Sequence, residues 1–361
     1  MAPMQLYVWS PALNAPSIDP KCIVIESVLR LLKVDYTVVH SNDPQTSPTG
    51  ELPLLKDGST WIAGVDRILN HLTKRDLDAN EELSAEEKAE YLAYSALIQE
   101  KLYDCMLFTW YADMTNFVKT IRPTYAKLLS FPSRYIVPIQ LKNSAKARLA
   151  RYEVEIKSDD IGLPQNEVEE MKELQKTGWH HASMYRMARE TYGILNSKLG
   201  EKDYMFGDKA TLLDCVAFGH LALHLYPNLA HGRLQHILKH EYPRLAQFCD
   251  RFKNIYFSDE QKTSQPADDV PSLWRTIVNN PRTLFNNVKE SVVSYMGDSE
   301  AEKKKSQSQI EFEKKRMWSI TGGVMFLLAY VVYNGIISIE FDDDEKYDEE
   351  EYDIDYDNDE L

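Results

Sequence analysis

At 361 residues, 43% of them hydrophobic and 27% charged, the chain is long enough for two ordinary domains and has a folded protein's composition, which excludes wholesale disorder. Its net charge of −15 is concentrated in Glu340 to Leu361, where 14 acidic residues stand against one lysine. The rest is nearly neutral, about −2, and lacks the basic excess that nucleic acid binding requires. The four cysteines, Cys22, Cys105, Cys215 and Cys249, form no CxxC pair; they read as buried thiols in a reducing compartment, not as a disulfide framework or a zinc site.

The chain opens on MAPMQLYVWSP, with no basic stretch leading into an apolar one, so no cleaved signal is expected. Gln5 to Trp9 read as a short strand. Asp19-Pro20 then precede apolar residues at Ile23, Val24, Val28, Leu31 and Leu32, the spacing of a helix with Asp19 as N-cap and Pro20 at its first position. Tyr36 to Val39 form a second strand. Leu52 to Leu55 and Thr60 to Ile62, joined through Asp57-Gly58, read as a hairpin. Val65 to Leu72 close the segment as a short helix with Val65, Ile68, Leu69 and Leu72 inward. The order β-α-β, then β-β-α, is that of a thioredoxin-like domain over residues 1–76.

Residues 84–257 read as all-helical. Tyr91, Leu92, Tyr94, Ser95, Ile98, Leu102, Cys105 and Met106 keep helical spacing from Ala85 onward, and Trp179 to Leu199 is the clearest later helix. In FGDKATLLDCVAFGHLALHL, Thr211 and Asp214 stand at the cap and third positions of an apolar helix, a capping box with Asp replacing Glu. Pro227, Gly232 and Pro243 punctuate shorter helices that end near Phe257. Residues 258–317 form a linker. Within it Leu273 to Met296 has near-helical apolar spacing, which suits the membrane surface, a partner or the body itself.

Trp318 to Ile339, WSITGGVMFLLAYVVYNGIISI, carries no formal charge. As a helix it would cover about 33 Å, enough for the roughly 30 Å hydrocarbon core of a bilayer. Its expected membrane-anchor residues are Trp318, Phe326, Leu327, Leu328, Val331, Val332, Ile336, Ile337 and Ile339. Lys314, Lys315 and Arg316 precede it and Asp342 to Asp344 follow, so the body is expected in the cytosol and the acidic tail, 340–361, across the membrane.

A thioredoxin-like domain followed by helices, with Thr211 and Asp214 capping a central one, resembles the glutathione transferase fold, an α+β class. That resemblance implies a thiol-activating Tyr, Ser or Cys near the first strand and helix, for which Ser10, Ser17 and Cys22 are available. It implies a cis-proline at Leu52-Pro53. It also implies a polar pair before the next helix to hold a ligand carboxylate at the helix N-terminus; here the pair is Gly64 and Val65, and valine offers no side-chain hydrogen bond. His220 and His224 lie one turn apart, but no acidic residue completes a HExxH pattern, so no metal site is expected.

The stretch TWYADMTNFVKTIRPTYAKLLSFPSRYIVP, Thr109 to Pro138, resembles the metaxin family through Trp110, Asp113, Asn116-Phe117, Arg122, Tyr125-Ala126 and Phe131-Pro132 in that order. LYVWS, SPTGELPLL, LIQEKL and FGDKATLLD extend the resemblance through nearly the whole chain, and AYVVYNGIISI resembles the metaxin-one type of anchor. The resemblance implies a mitochondrial outer-membrane protein facing the cytosol, a non-catalytic subunit of the sorting and assembly machinery without a cofactor. Its implied partners are the β-barrel assembly core subunit, a second metaxin-like subunit, β-barrel precursors and the lipid bilayer. Trp110, Asp113, Asn116, Phe117, Arg122, Tyr125 and Phe131 are the expected partner-contact residues, being aromatic- and Arg-rich; the competing expectation is that the aromatic ones fill the helical core. The alternatives in function are a tail-anchored glutathione transferase and a mitochondrial membrane tether or morphology factor.

Overall fold

Met4–Val8 (β1) lies at the centre of a four-stranded sheet because every one of its apolar residues has somewhere to be buried. Tyr36–His40 (β2) pairs with it in parallel, Leu6 opposite Val38. On the other side Leu54–Asp57 (β3) pairs antiparallel, Leu6 opposite Leu55, and Thr60–Ala63 (β4) continues the antiparallel ladder, giving the order β2-β1-β3-β4. The crossover between β1 and β2 is Pro20–Leu31 (α1). Asp19 caps it by accepting from the Cys22 amide at 3.0 Å, and Pro20 occupies the first turn, where a missing amide hydrogen costs nothing. Val65–Thr73 (α2) closes this half, with Ile68 and Leu72 buried and Val65 and Leu69 half-buried. The Leu52-Pro53 peptide is cis.

This computed structural model describes residues 4–258 and Thr263, apart from 43, 48, 130–132 and 153–166. Residues 1–283 cluster as one unit and 284–361 as another; the described residues all belong to the first. The anchor at 318–339, the tail at 340–361, nearly all of the 258–317 linker, and Phe131-Pro132 lie outside the described residues. Among the described residues no helix is long and apolar enough to cross a membrane.

The helical half opens with Ala85–Leu97 (α3), which Ser84 and Glu87 start by exchanging hydrogen bonds, Ser84 N–H to Glu87 Oε2 at 2.9 Å and Glu87 N–H to Ser84 Oγ at 3.2 Å. Leu92, on α3, is 65% exposed, while Ser95 and Ile98 are buried. Ile98–Leu102, Phe108–Ala112 and Phe117–Ile121 are wide π-type turns set between Tyr103–Leu107 (α4), Met114–Asn116 (α5) and Arg122–Leu128 (α6). Each wide turn takes in an extra residue, and Ile98, Leu102, Cys105 and Met106 stay buried through the first of them.

Ser133–Leu149 (α7) and Glu167–Leu199 (α8) follow, the latter beginning twelve residues before the expected start at Trp179. The added residues are rich in Glu, Met, Lys, Gln and Leu, which favour helix by propensity without an apolar stripe. Leu212–Leu225 (α9) is buried along its whole length and is the pillar of the body. Its start is as expected: the Thr211 amide and hydroxyl both donate to Asp214 Oδ2 at 2.8 Å, and Asn80 Oδ1 accepts the next amide, Leu212, at 3.1 Å. Arg233–Glu241 (α10) and Pro243–Tyr256 (α11) complete the layer.

The two halves share one core. α1 packs along α9, and Trp9 meets Tyr125 edge-on at 5.3 Å. Arg30, nearly buried, pairs with Glu26 at 2.7 Å, donates to the Tyr256 carbonyl at 2.8 Å and lies 4.4 Å over the Phe257 ring. This arrangement, a thioredoxin-like sheet with a helical half packed on it, is the glutathione-transferase-like plan.

Candidate functional site

At the seam between sheet and helices opens a cleft of about 450 Å³. Its floor on the sheet side is α2's N-terminus. Gly64 caps that helix with φ 88°, a conformation only glycine adopts readily, and contributes no side-chain hydrogen bond, leaving the first-turn amides without a side-chain acceptor. Asp66 and Arg67 follow at the rim. Lys21 reaches across to Glu51 at 2.6 Å. The helical wall is Gln99, Glu100, Tyr103, Arg148 and His220.

Each of these wall residues is held by a local reason. Asp104, fully buried on α4, accepts from Arg148 Nε at 2.5 Å, from Arg151, and from Tyr152 Oη at 2.8 Å, which ties the end of α7 and the turn after it to α4. Arg148 thereby lies 5.0 Å over the Tyr103 ring. His220 meets Tyr103 edge-on at 6.0 Å, and its buried Nδ1 has no hydrogen-bond partner among the described residues. Burial first, then the charges of His224, Lys21 and Arg148, bring His220 down to about 3, so it is a neutral imidazole. The cleft thus offers mixed charge and backbone donors.

The expected nucleophiles do not line this cleft. Cys22 sits inside α1, fully buried, and burial with the nearby Asp19 carboxylate pushes its thiol far above the ordinary range, where no thiolate forms at neutral pH. Ser17 is buried, its Oγ accepting from the Asp19 amide at 3.3 Å. Ser10 sits in the loop after β1, its amide bonded to Asn42 Oδ1 at 2.8 Å. His224 has both ring nitrogens engaged: Nδ1 with the Tyr192 hydroxyl at 2.5 Å and Nε2 with the Leu102 carbonyl at 3.0 Å. It has no lone pair to offer a metal beside His220.

The distinctive stretch from Thr109 to Pro138 turns mostly inward. Trp110 is 1% exposed and Asn116 and Phe117 are fully buried; Tyr125 is buried against Trp9. These four side chains lie inside the helical half, where the competing expectation puts the aromatic ones. Asp113 and Asn116 have a different task. Asp113 accepts from the Asn116 amide at 3.1 Å and meets His231 Nδ1 at 2.7 Å, while Asn116 exchanges bonds with the His231 backbone at 2.8 and 3.2 Å. Together they stitch α5 to the loop before α10. Arg122 is exposed at the head of α6, in surface shared with Val118 and Lys119.

The cleft went unnoticed in the sequence except at Gly64 and Val65. Lys21, Glu51 and Arg148 come from three separated segments, and no spacing announces them. Glycine before an amphipathic helix that lacks a polar cap residue was the available signal.

Comparison with known proteins follows the same lines. Residues 22–142 match the family model described as outer mitochondrial membrane transport complex protein, and residues 188–252 match that of the glutathione S-transferase C-terminal domain. Metaxin-1 of Mus musculus is 30% identical over 340 residues, 94% of this chain and 92% of that one. Metaxin-3 of Xenopus laevis is 30% identical over 268 residues, 74% of this chain and 81% of that one. Among solved structures, a glutathione S-transferase of Ceriporiopsis subvermispora in complex with glutathione aligns at a TM-score of 0.45 and 15% identity, over 70% of this chain and 96% of that one, a likeness too distant to bear on function.

Proposed function

The chain belongs to the metaxin family, and from that premise we propose that it is a non-catalytic, membrane-anchored subunit of the outer-membrane sorting and assembly machinery, acting in protein import and β-barrel insertion. The uncharged run Trp318 to Ile339 holds the body on the cytosolic face of the mitochondrial outer membrane. There it works beside the β-barrel core subunit and a second metaxin-like subunit, and the anchor raises its local concentration at both. One observation carries the reading: the match to metaxins runs through 94% of this chain, and the transport-complex model covers residues 22–142, from α1 through the sheet half and into α7. The sealed thiol of Cys22, and a cleft lined by neither Ser10, Ser17 nor Cys22, support a role without chemistry.

The test is purification of the tagged full chain from mitochondria in mild detergent. A barrel-shaped outer-membrane assembly subunit and a second metaxin are expected in the eluate. Their absence, with intact barrel assembly after depletion of the chain, would overturn the proposal.

A further inference from the structure

From Met114 to Tyr152 the chain carries eight basic residues and no acidic one, whereas the other residues before Glu340 together carry a net charge of about −10. Three of the eight have work inside the fold. Lys142 is buried 4.8 Å over the Phe117 ring, and Arg148 and Arg151 grip Asp104. The other five, Lys119, Arg122, Lys127, Arg134 and Lys146, are exposed and make no ion pair among the described residues. A solvated helix surface ordinarily mixes both signs of charge, and this one does not.

Apolar side chains stand among those cations. Val118 is 50% exposed, Tyr135 61% and Ile136 48%, three of the six exposed large hydrophobics of the described residues. The segments are packed together: α7 lies on α6, and Lys142 of α7 reaches Met114 Sδ at 3.5 Å as well as Phe117. Cations alone would suit any polyanion. Cations with aliphatic and aromatic tips beside them suit an anionic layer that has an apolar one beneath it.

We propose that the exposed basic and apolar face of residues 114–152 is a contact surface for an anionic phospholipid bilayer. This rests on the anchored reading, which brings the body to a membrane, and goes beyond it by fixing which side of the body lies down. The anchor supplies proximity and the face supplies orientation. Each Lys or Arg near an anionic surface contributes about fivefold to the bound population.

The test uses the full chain in vesicles of phosphatidylcholine alone and of phosphatidylcholine with about one-fifth phosphatidylserine. The four native cysteines are buried, so a polarity-sensitive dye attaches selectively to an introduced one. Gln140→Cys places the dye one turn from Ile136, and Glu201→Cys, at a side chain 95% exposed outside the segment, is the control. In anionic vesicles the dye at 140 should shift to the blue, lose the shift in high salt, and lose it about 25-fold more readily with Arg122→Gln and Arg134→Gln combined. The control should not shift. A dye at 140 equally wet in both vesicles overturns the proposal, as does one already dry in uncharged vesicles because another part of the chain covers the face. A shift that needs an added mitochondrial protein and not anionic lipid overturns it too, in favour of an acidic protein partner. Failure of the anchor is a separate outcome: the chain would then float free of uncharged vesicles, and the same dye read on chain added to anionic vesicles would still decide about the face.

Discussion

Gly219 of α9 lies so near Val24 of α1 that a methyl group added to it would come within 2.5 Å of Val24 Cγ2 and 3.0 Å of the Pro20 carbonyl oxygen. This is where the sheet half and the helical half share their longest contact. A β-branched neighbour and a backbone carbonyl have little room to retreat. Gly219→Ala should therefore lower stability by about 1–3 kcal/mol, even though alanine favours helix by about 1 kcal/mol. Urea unfolding of the body measures it; a midpoint at or above wild type would mean that the two helices part without cost.

Acid should unfold the body early. His220 and His224 are buried, and burial foremost brings them down to about 3 and about 4, although the Leu102 carbonyl pulls His224 partly back up. Below about pH 6.5 the unfolded chain binds protons at both rings and the native one does not, so stability is lost as pH falls toward those lower values. Each histidine should contribute up to about 1.4 kcal/mol per pH unit in that window. His220→Gln should flatten the dependence while sparing stability near neutrality. His224→Gln should weaken the protein at every pH, because it breaks the bonds to Tyr192 and Leu102.

Glutathione should not be turned over. The protein is expected to pass through immobilised glutathione unretained, and Cys22→Ser should leave any background thiol transfer unchanged. The thiol is fully buried and held far above the range in which a thiolate would form. Transfer well above the uncatalysed rate that disappears in Cys22→Ser would show that the helix opens to admit substrate.

Asp104 should be the least replaceable carboxylate of the body. It is fully buried and serves Arg148, Arg151 and Tyr152 at once. Asp104→Ala leaves three donors facing a hole, and a loss of about 3 kcal/mol is expected, discounted because both arginines are partly exposed. Thermal unfolding gives the number, and a double-mutant cycle with Arg148→Ala apportions it. Additive losses would mean that the pair is not coupled.

Much of this architecture was legible because its punctuation is chemical. Asp19-Pro20 and Thr211 with Asp214 mark helix starts by satisfying backbone groups, Asp57-Gly58 marks the hairpin turn with Gly58 at φ 59°, and each stands where the sequence placed it. Less legible is the form of the turns in the middle of the helical half, where Ile98, Leu102, Cys105 and Met106 are nevertheless all buried. Three wide turns between Ile98 and Ile121 change the phase of the helix, and nothing in residue type foretells a turn of that width. The aromatic richness of Trp110, Phe117 and Tyr125 was legible as important but ambiguous in kind, because core and interface favour the same side chains. Asp113 and Asn116 resolve it locally, since their partner His231 is more than a hundred residues away and belongs to the same body.

The grip of Arg30 on the end of α11 has a mechanical consequence. Tyr256 and Phe257, at the end of α11, are the two residues Arg30 touches while it is itself braced by Glu26, and Thr263 beyond them pairs with Val38 of β2. A pull on the chain at Thr263 would load that bridge and then the Arg30 guanidinium before it could peel α11 from its neighbours. Tension would then pass into β2 and α1, so the end of the helical half is fastened to the half of the molecule that opens the chain.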